Sequence, residues 1–258
     1  MNDIPTVHPC TLTVVVPALN EEGNLDATLK GLLDELARLQ INAEVIVVND
    51  GSTDGTGRIA ERCAGRERRV RVIHHPRPRG VGASFMECAG SARGSFITWF
   101  PGDGENDPAE LLKYVELMKK IDIVVPFVVN QKCRRWTRRV ISSLFCNIFN
   151  RSFGTAFKYM NGNIIFKTDL LRGLHIRNSG FLCWAEMLLK LTRAGASYAE
   201  VPVRIPEKGR SAGSSKAFSL RSISDVLTGY ARLFWDIHCG PSDAGVRAAR
   251  KEAADDGV

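Results

Sequence analysis

An α/β fold, with a mainly parallel sheet flanked by helices, is predicted by three features of this 258-residue sequence. Short β-branched runs alternate with stretches of helical period, a pattern that needs right-handed crossovers between parallel strands. Hydrophobic residues make up 44% of the chain, enough for a substantial core. Unusual polar stretches stand where successive predicted strands end, which is where such sheets bind ligands.

The elements follow in order. "TLTVVVPAL" is a β-branched run ended by proline and reads as the first buried strand. "NLDATLKGLLDELARLQ" places Leu25, Leu29, Leu32, Leu33 and Leu36 at helical spacing. "AEVIVVND" is a second strand, "DGTGRIAERCAG" opens a second helix with Thr53 or Asp54 as the expected N-cap, and "VRVIHH" is a third strand. "GVGASFMECAGSA" starts a helix at a glycine pair, and "SFITWF" is the fourth strand. "KCRRWTRRVISSLFCNIF" carries Trp136, Val140, Ile141, Leu144, Phe145, Ile148 and Phe149 as one helical stripe, edged by Arg138, Arg139, Ser142 and Ser143. "SGFLCWAEMLLK" is an apolar helix with Glu186 inside it. "FSLRSISDVLTGYARLFWDI" aligns Ile223, Val226, Leu227, Tyr230, Leu233, Phe234 and Ile237, a face suited to core, dimer or membrane contact. The expected organisation is one domain over 1–240, with a nucleotide-binding type of α/β half at 11–110, a second half with C-terminal amphipathic helices at 111–240, and a disordered tail at 241–258.

The seven cysteines are scattered singly, without a C-x-x-C pair, which suggests reduced thiols and a cytoplasmic protein. The N-terminal "MNDIPTVHPC" does not resemble a signal peptide, and no apolar run approaches the roughly 20 residues that span a bilayer, so the expectation is a soluble or peripheral protein. The formal charge of +7 is local in origin: seven Lys or Arg and no acidic residue lie between Lys132 and Lys158. Such a segment suits nucleic acid, anionic lipid or a phosphorylated substrate, or is merely a solvated face. A nucleic-acid or membrane-binding module without catalysis leaves the acidic strand ends unexplained, and no nucleic-acid partner is expected.

Those strand ends are "PALNEE", "NDGSTDGT" and "PGDGENDP", and three in succession suggest a shared pocket. Asp50, closing a buried strand, is expected to aim its carboxylate at a nucleobase or ribose, and Glu21 to reach the same group, with Asn20 or Asn24 capping the leucine-rich helix. "PRGVGAS" offers backbone N–H groups beside Arg79, which suits an anion. Asp103, Glu105 and Asp107 crowd negative charge at one strand end, a cost that a divalent cation would offset.

"VVVPALNEEGNL", "VIVVNDGSTDGT", "RGVGAS", "GDGENDPAEL" and "GRSAGSSK" stand in the order of the signatures of family 2 glycosyltransferases, and the chain from about Thr11 to Ala217 resembles their dolichol- or polyprenyl-phosphate sugar transferase branch. The resemblance implies a GT-A fold, a nucleoside-diphosphate-sugar donor, Mg2+ or Mn2+, and inversion at the anomeric carbon. Matched by motif, Pro17, Leu19, Glu21, Asn49, Asp50 and Gly80 fall on nucleotide-sugar contacts. Asp103 falls on the metal-binding aspartate with Glu105 beside it, and Asp107 is read as a helix cap. Pro101 stands where the family has its other aspartate, and Asn49 also replaces an aspartate. Arg210 and Lys216 match a loop that would neutralise the leaving diphosphate. Glu186 falls beside the acceptor, as a general base for a hydroxyl. Lys132, Arg138 and Ser142 are the positions closest to a lipid phosphate. The function implied is metal-dependent transfer of a sugar to a polyprenyl phosphate at the inner face of the membrane. A soluble hydroxyl acceptor, or a relative that binds nucleotide sugar without turnover, stands as the alternative.

Overall fold

The computed structural model describes residues 11–131, 136–206 and 220–239. Seven strands form one sheet in the order β3-β2-β1-β4-β6-β5-β7. They are β1 (Leu12–Ala18), β2 (Ala43–Asp50), β3 (Val70–His75), β4 (Phe96–Trp99), β5 (Ile123–Val128), β6 (Ile165–Lys167) and β7 (Tyr198–Val203). Only β6 runs against its neighbours β4 and β5, so the carboxyl ends of the other six strands share one edge. The helices are α1 (Leu25–Arg38), α2 (Thr56–Ala64), α3 (Val81–Ser91), α4 (Pro108–Leu112), α5 (Trp136–Phe153), α6 (Leu182–Arg193) and α7 (Leu220–His238).

The alternation of side chains along each strand splits the core into two layers. Leu12, Val14 and Val16 face the leucines of α1, while Val15 faces the layer that holds Phe85, Trp184 and Leu188. In α1, Leu25, Leu29, Leu32 and Leu36 are buried and Leu33 is half-buried, as the spacing predicted. Each fully buried leucine contributes roughly 1.5–3 kcal/mol over an exposed one. Every residue of α6 from Leu182 to Leu191 is buried, the state of a helix walled in on all sides. Trp184 of α6 stacks on Trp99 of β4, ring centroids 4.5 Å apart, which fixes the later helices onto the first half of the sheet.

Two local expectations change. The N-cap of α2 is Gly55 rather than Thr53 or Asp54; Asp54 sits one residue earlier and accepts from Thr56 N and Oγ1. The stripe of α5 divides. Phe149 is buried and packs with Cys146 and Phe153, whereas Trp136, Val140, Ile141, Leu144 and Ile148 are exposed. Only the C-terminal half of that helix lies over the core, where α7 meets it through Phe149, Phe153 and Tyr230, and Tyr230 Oη lies 2.5 Å from Ser152 Oγ. Five of the cysteines are free thiols among the described residues. Among those residues no helix is long and apolar enough to cross a membrane.

Candidate functional site

The turns after β1, β2 and β4 converge at the carboxyl edge of the sheet, and they hold one another by side-chain-to-backbone bonds. After β1, Asn20 adopts a left-handed conformation (φ 55°), and its Oδ1 accepts from Thr53 N at 2.8 Å. Glu21 N donates to Thr56 Oγ1 at 2.8 Å, and Glu22 Oε2 accepts from Gly55 N at 2.7 Å. The polar stretches "PALNEE" and "NDGSTDGT" are therefore clasped together. Asn24 occupies the N-cap of α1 without capping through its side chain; its Nδ2 donates to Glu21 Oε2 at 3.0 Å.

The Asn49–Asp50 pair is buried, and its polar atoms are spent on the protein. Asn49 Oδ1 accepts from Ser52 N, and its Nδ2 meets His74 Nδ1 at 3.0 Å. Asp50 Oδ1 lies 2.6 Å from His75 Nδ1 and 2.8 Å from Arg79 N, while Oδ2 lies 2.9 Å from Gly80 N. Burial alone would raise the Asp50 pKa, but the bonds from His75, Arg79 and Gly80 outweigh it and hold the carboxyl below its ordinary value. Asp50, which the sequence aims at a nucleobase or ribose, fixes the loop before α3 through these bonds. The expected anion cradle at that helix start is likewise consumed. Arg79 N and Gly80 N serve Asp50, Gly82 N donates to Ser179 O, and the Arg79 guanidinium pairs with Glu87.

The turn after β4 is different. Asp103 is half-buried, and among the described residues its side chain is bonded only within its own turn, accepting from Glu105 N at 2.9 Å. Burial raises its pKa, and repulsion from Glu105 and Glu21 adds to the rise. The anionic form is thus disfavoured until positive charge arrives. Glu105 is exposed beside it, and Asp107 caps α4 by accepting from Ala109 N. Among the described residues no three Asp, Glu, His or Cys side chains form a complete metal cage. One or two carboxylates, with the remaining ligands from phosphate and water, are the usual protein share of an Mg2+ site on a phosphorylated substrate. The donor set of Asp103 and Glu105 fits such a cation.

Glu186 is 1% exposed and bonded at both oxygens. Lys190 Nζ lies 3.0 Å from Oε1, Arg177 N donates to Oε1, and Asn178 N and Nδ2 donate to Oε2. It is neither an exposed base nor a helix-terminal charge; it folds the 177–179 loop, which carries Ser179 against Gly82. Ser142 lies within α5, and Pro17 and Leu19 lie at the end of β1. Lys132, Arg210 and Lys216 lie outside the described residues, as does the side chain of Arg138. Sequence reasoning missed Glu22, His75 and Glu87. The register that pairs Asn49 with His74 and Asp50 with His75 across two parallel strands was the signal available for the histidines.

The family model for glycosyl transferase family 2 matches residues 13–175. Undecaprenyl-phosphate mannosyltransferase of Micrococcus luteus is 29% identical over 218 residues, 78% of this chain and 85% of the relative. Polyprenol monophosphomannose synthase of Mycolicibacterium smegmatis is 27% identical over 223 residues, 80% and 82% of the two chains. Among solved structures, glucosyl-3-phosphoglycerate synthase from Mycobacterium tuberculosis, in complex with Mg2+ and uridine diphosphate, aligns with a TM-score of 0.62 at 20% identity, covering 91% of this chain and 81% of that one. The shared fold is GT-A.

Proposed function

The chain belongs to glycosyl transferase family 2, and from that premise we propose that it moves a sugar from a nucleoside diphosphate to the phosphate of a polyprenyl lipid, with inversion, at a membrane surface. The donor lies across the carboxyl edge of the sheet, along the clasped turns after β1 and β2. Asp103, with Glu105, would hold Mg2+ or Mn2+ against the donor diphosphate, a reading supported by fold neighbours crystallised in complex with those cations and uridine diphosphate. Bound there, the cation would supply positive charge for the leaving diphosphate. Arg210 and Lys216, which precede α7 in the sequence and lie outside the described residues, would add positive charge for the leaving diphosphate.

The acceptor side carries the reading. Of the twelve large apolar side chains exposed among the described residues, eight lie on α5 and α7, which pack on each other. A soluble domain seldom leaves such a patch bare unless something apolar covers it. Along α5, Trp136, Val140 and Leu144 form one edge of an open depression, and Arg139, Ser143 and Asn147 form the other. That pairing suits a molecule with an acyl-like tail and an anionic head. The acid-free stretch from Lys132 to Lys158 adds attraction to anionic lipid, about 1 kcal/mol per basic residue near the surface. Since β5 runs parallel to β4, its carboxyl end, which leads into α5, shares an edge with Asp103. A phosphate acceptor is already anionic and needs orientation more than deprotonation, which accords with the absence of a free oxygen on Glu186.

The test is incubation of the protein with a panel of nucleoside-diphosphate sugars, Mg2+ or Mn2+, and polyprenyl phosphate in anionic vesicles, followed by mass analysis of the products. A glycosyl-phosphoprenol product is expected. Transfer to a water-soluble hydroxyl, with none to the lipid, would replace this reading by the soluble-acceptor one.

A further inference from the structure

A chain of ionisable groups, buried at His75 and Asp50 and reaching the surface at Glu87 and Arg79, stands behind the donor edge, and the transfer chemistry makes no direct use of it. His75 closes β3, and its side chain is only 4% exposed. Its Nδ1 lies 2.6 Å from Asp50 Oδ1, and its Nε2 lies 3.2 Å from Glu87 Oε2 on α3. Glu87 in turn pairs with the guanidinium of Arg79. A neutral imidazole carries one N–H and can donate to one of these carboxylates, whereas a doubly protonated ring donates to both. The groups facing the ring are Asp50 from β2 and Glu87 from α3, with Arg79 reaching it through Glu87.

The segment that Asp50 holds on one side rests on Ser179 on the other, where Gly82 N donates to Ser179 O at 2.8 Å. Gly80 sits at φ 91°, a conformation reached cheaply by glycine alone, and its N–H and that of Arg79 end on Asp50. The turn at Gly51 touches the same segment: a Cβ there would lie 2.7 Å from the carbonyl carbon of Arg77. One carboxylate therefore sets the wall between the β2 turn and the start of α3, and one histidine sets the carboxylate.

We propose that His75 is a positioning residue of the donor pocket. It orients Asp50, and through Asp50 the Arg79–Gly80 backbone, so that the nucleoside diphosphate meets a preformed surface. The inference rests on the donor reading above. Its test compares wild type with His75→Leu, which removes both donors, and His75→Asn, whose amide can still reach Asp50 but not Glu87. Binding of uridine and guanosine diphosphate with Mg2+ is measured by calorimetry, beside thermal unfolding and the steady-state constants for the sugar donor.

His75→Leu should weaken nucleotide binding about tenfold or more, the scale of one lost charge-assisted hydrogen bond, and raise the donor KM more than it lowers kcat. His75→Asn should recover most of that loss. If wild type binds neither nucleotide, the donor reading fails and takes this inference with it. If wild type binds and His75→Leu binds equally well, the inference alone fails. Should the Leu variant not fold, the Asn variant decides: a folded His75→Asn with a tenfold loss of nucleotide affinity overturns the role assigned to the Asp50 contact.

Discussion

Asp103 and Asp50 lie at ends of neighbouring turns, yet their surroundings push them in opposite directions, and their substitutions should differ accordingly. Asp103 has its pKa raised by burial and by its acidic neighbours, so at neutral pH its ionised form costs folding stability, and the cost is relieved as pH falls through the raised value. Asp103→Asn should therefore abolish transfer and metal-dependent nucleotide binding while leaving the metal-free protein as stable as wild type or slightly more so, measured by thermal unfolding in chelator at pH 7. A marked drop in Tm would show that the carboxylate is held by the fold rather than poised for a cation. Asp50 has its pKa lowered, so it contributes stability above the ordinary carboxylate value of about 3.9, and that contribution is lost as pH falls through the folded value. Asp50→Asn should cost about 1.5–3 kcal/mol in urea unfolding at pH 7, the scale of a hydrogen bond to a charged group, and a smaller amount at about pH 3. An equal cost at both pH values would remove the charge from the explanation. Glu186→Gln breaks a buried pair and leaves Lys190 poorly compensated, a loss of about 3–5 kcal/mol in the same assay. A fully stable Glu186→Gln that lost 10²–10⁴-fold in kcat, as removal of a general base does, would instead return Glu186 to the chemistry.

Among the elements, α5 carries the clearest division of labour. Its C-terminal half packs Cys146, Phe149 and Phe153 into the core, while its N-terminal half holds Trp136, Val140, Ile141 and Leu144 in the open. Replacing Trp136, Ile141 and Leu144 by Ser should abolish sedimentation with anionic vesicles and leave Tm nearly unchanged, because exposed side chains contribute little to folding. Replacing Arg138 and Arg139 by Gln should lower acceptor-side kcat/KM by about one to two decades while donor KM stays close to wild type, since each charge-assisted bond to a phosphate is worth roughly 1.5–3 kcal/mol. Undiminished vesicle binding by the triple Ser variant would show that this face covers something other than lipid.

At the scale of the whole molecule, the two parts of the chain meet at Gly82. A Cβ there would lie 2.8 Å from Cys183 Sγ and 2.9 Å from Ser179 O, so α3 touches the start of α6 and the loop folded by Glu186. Gly82→Ala should cost about 1–3 kcal/mol through overpacking and should also weaken nucleotide binding, because the displaced segment is continuous with Gly80. Urea unfolding and calorimetry on one preparation check both effects; a stability loss with unchanged nucleotide affinity would uncouple the contact from the donor edge.

The sequence by itself determined the first four strands, the helices around and after them, the alternation of the first half and the order of the polar turns, but not β5, β6 and β7. Each of these is written in local period and composition: Leu25, Leu29, Leu32 and Leu36 declare a helix wherever it packs, and Asp107 before Pro108 declares a cap. The acidic turn that holds Asp103 at the end of β4 was legible too, because such a turn is written within a few residues. Only the tertiary structure decided that Asp50 and Glu186 are spent on the protein, since Arg79, His75, Lys190 and Asn178 become their partners only when distant turns and helices meet. It alone split the α5 stripe, because helical spacing records that a face is apolar and not what lies against it. The physical reason is the same in each case: propensity and periodicity act within a few residues of chain, whereas burial and charge pairing are fixed by which elements the fold brings into contact.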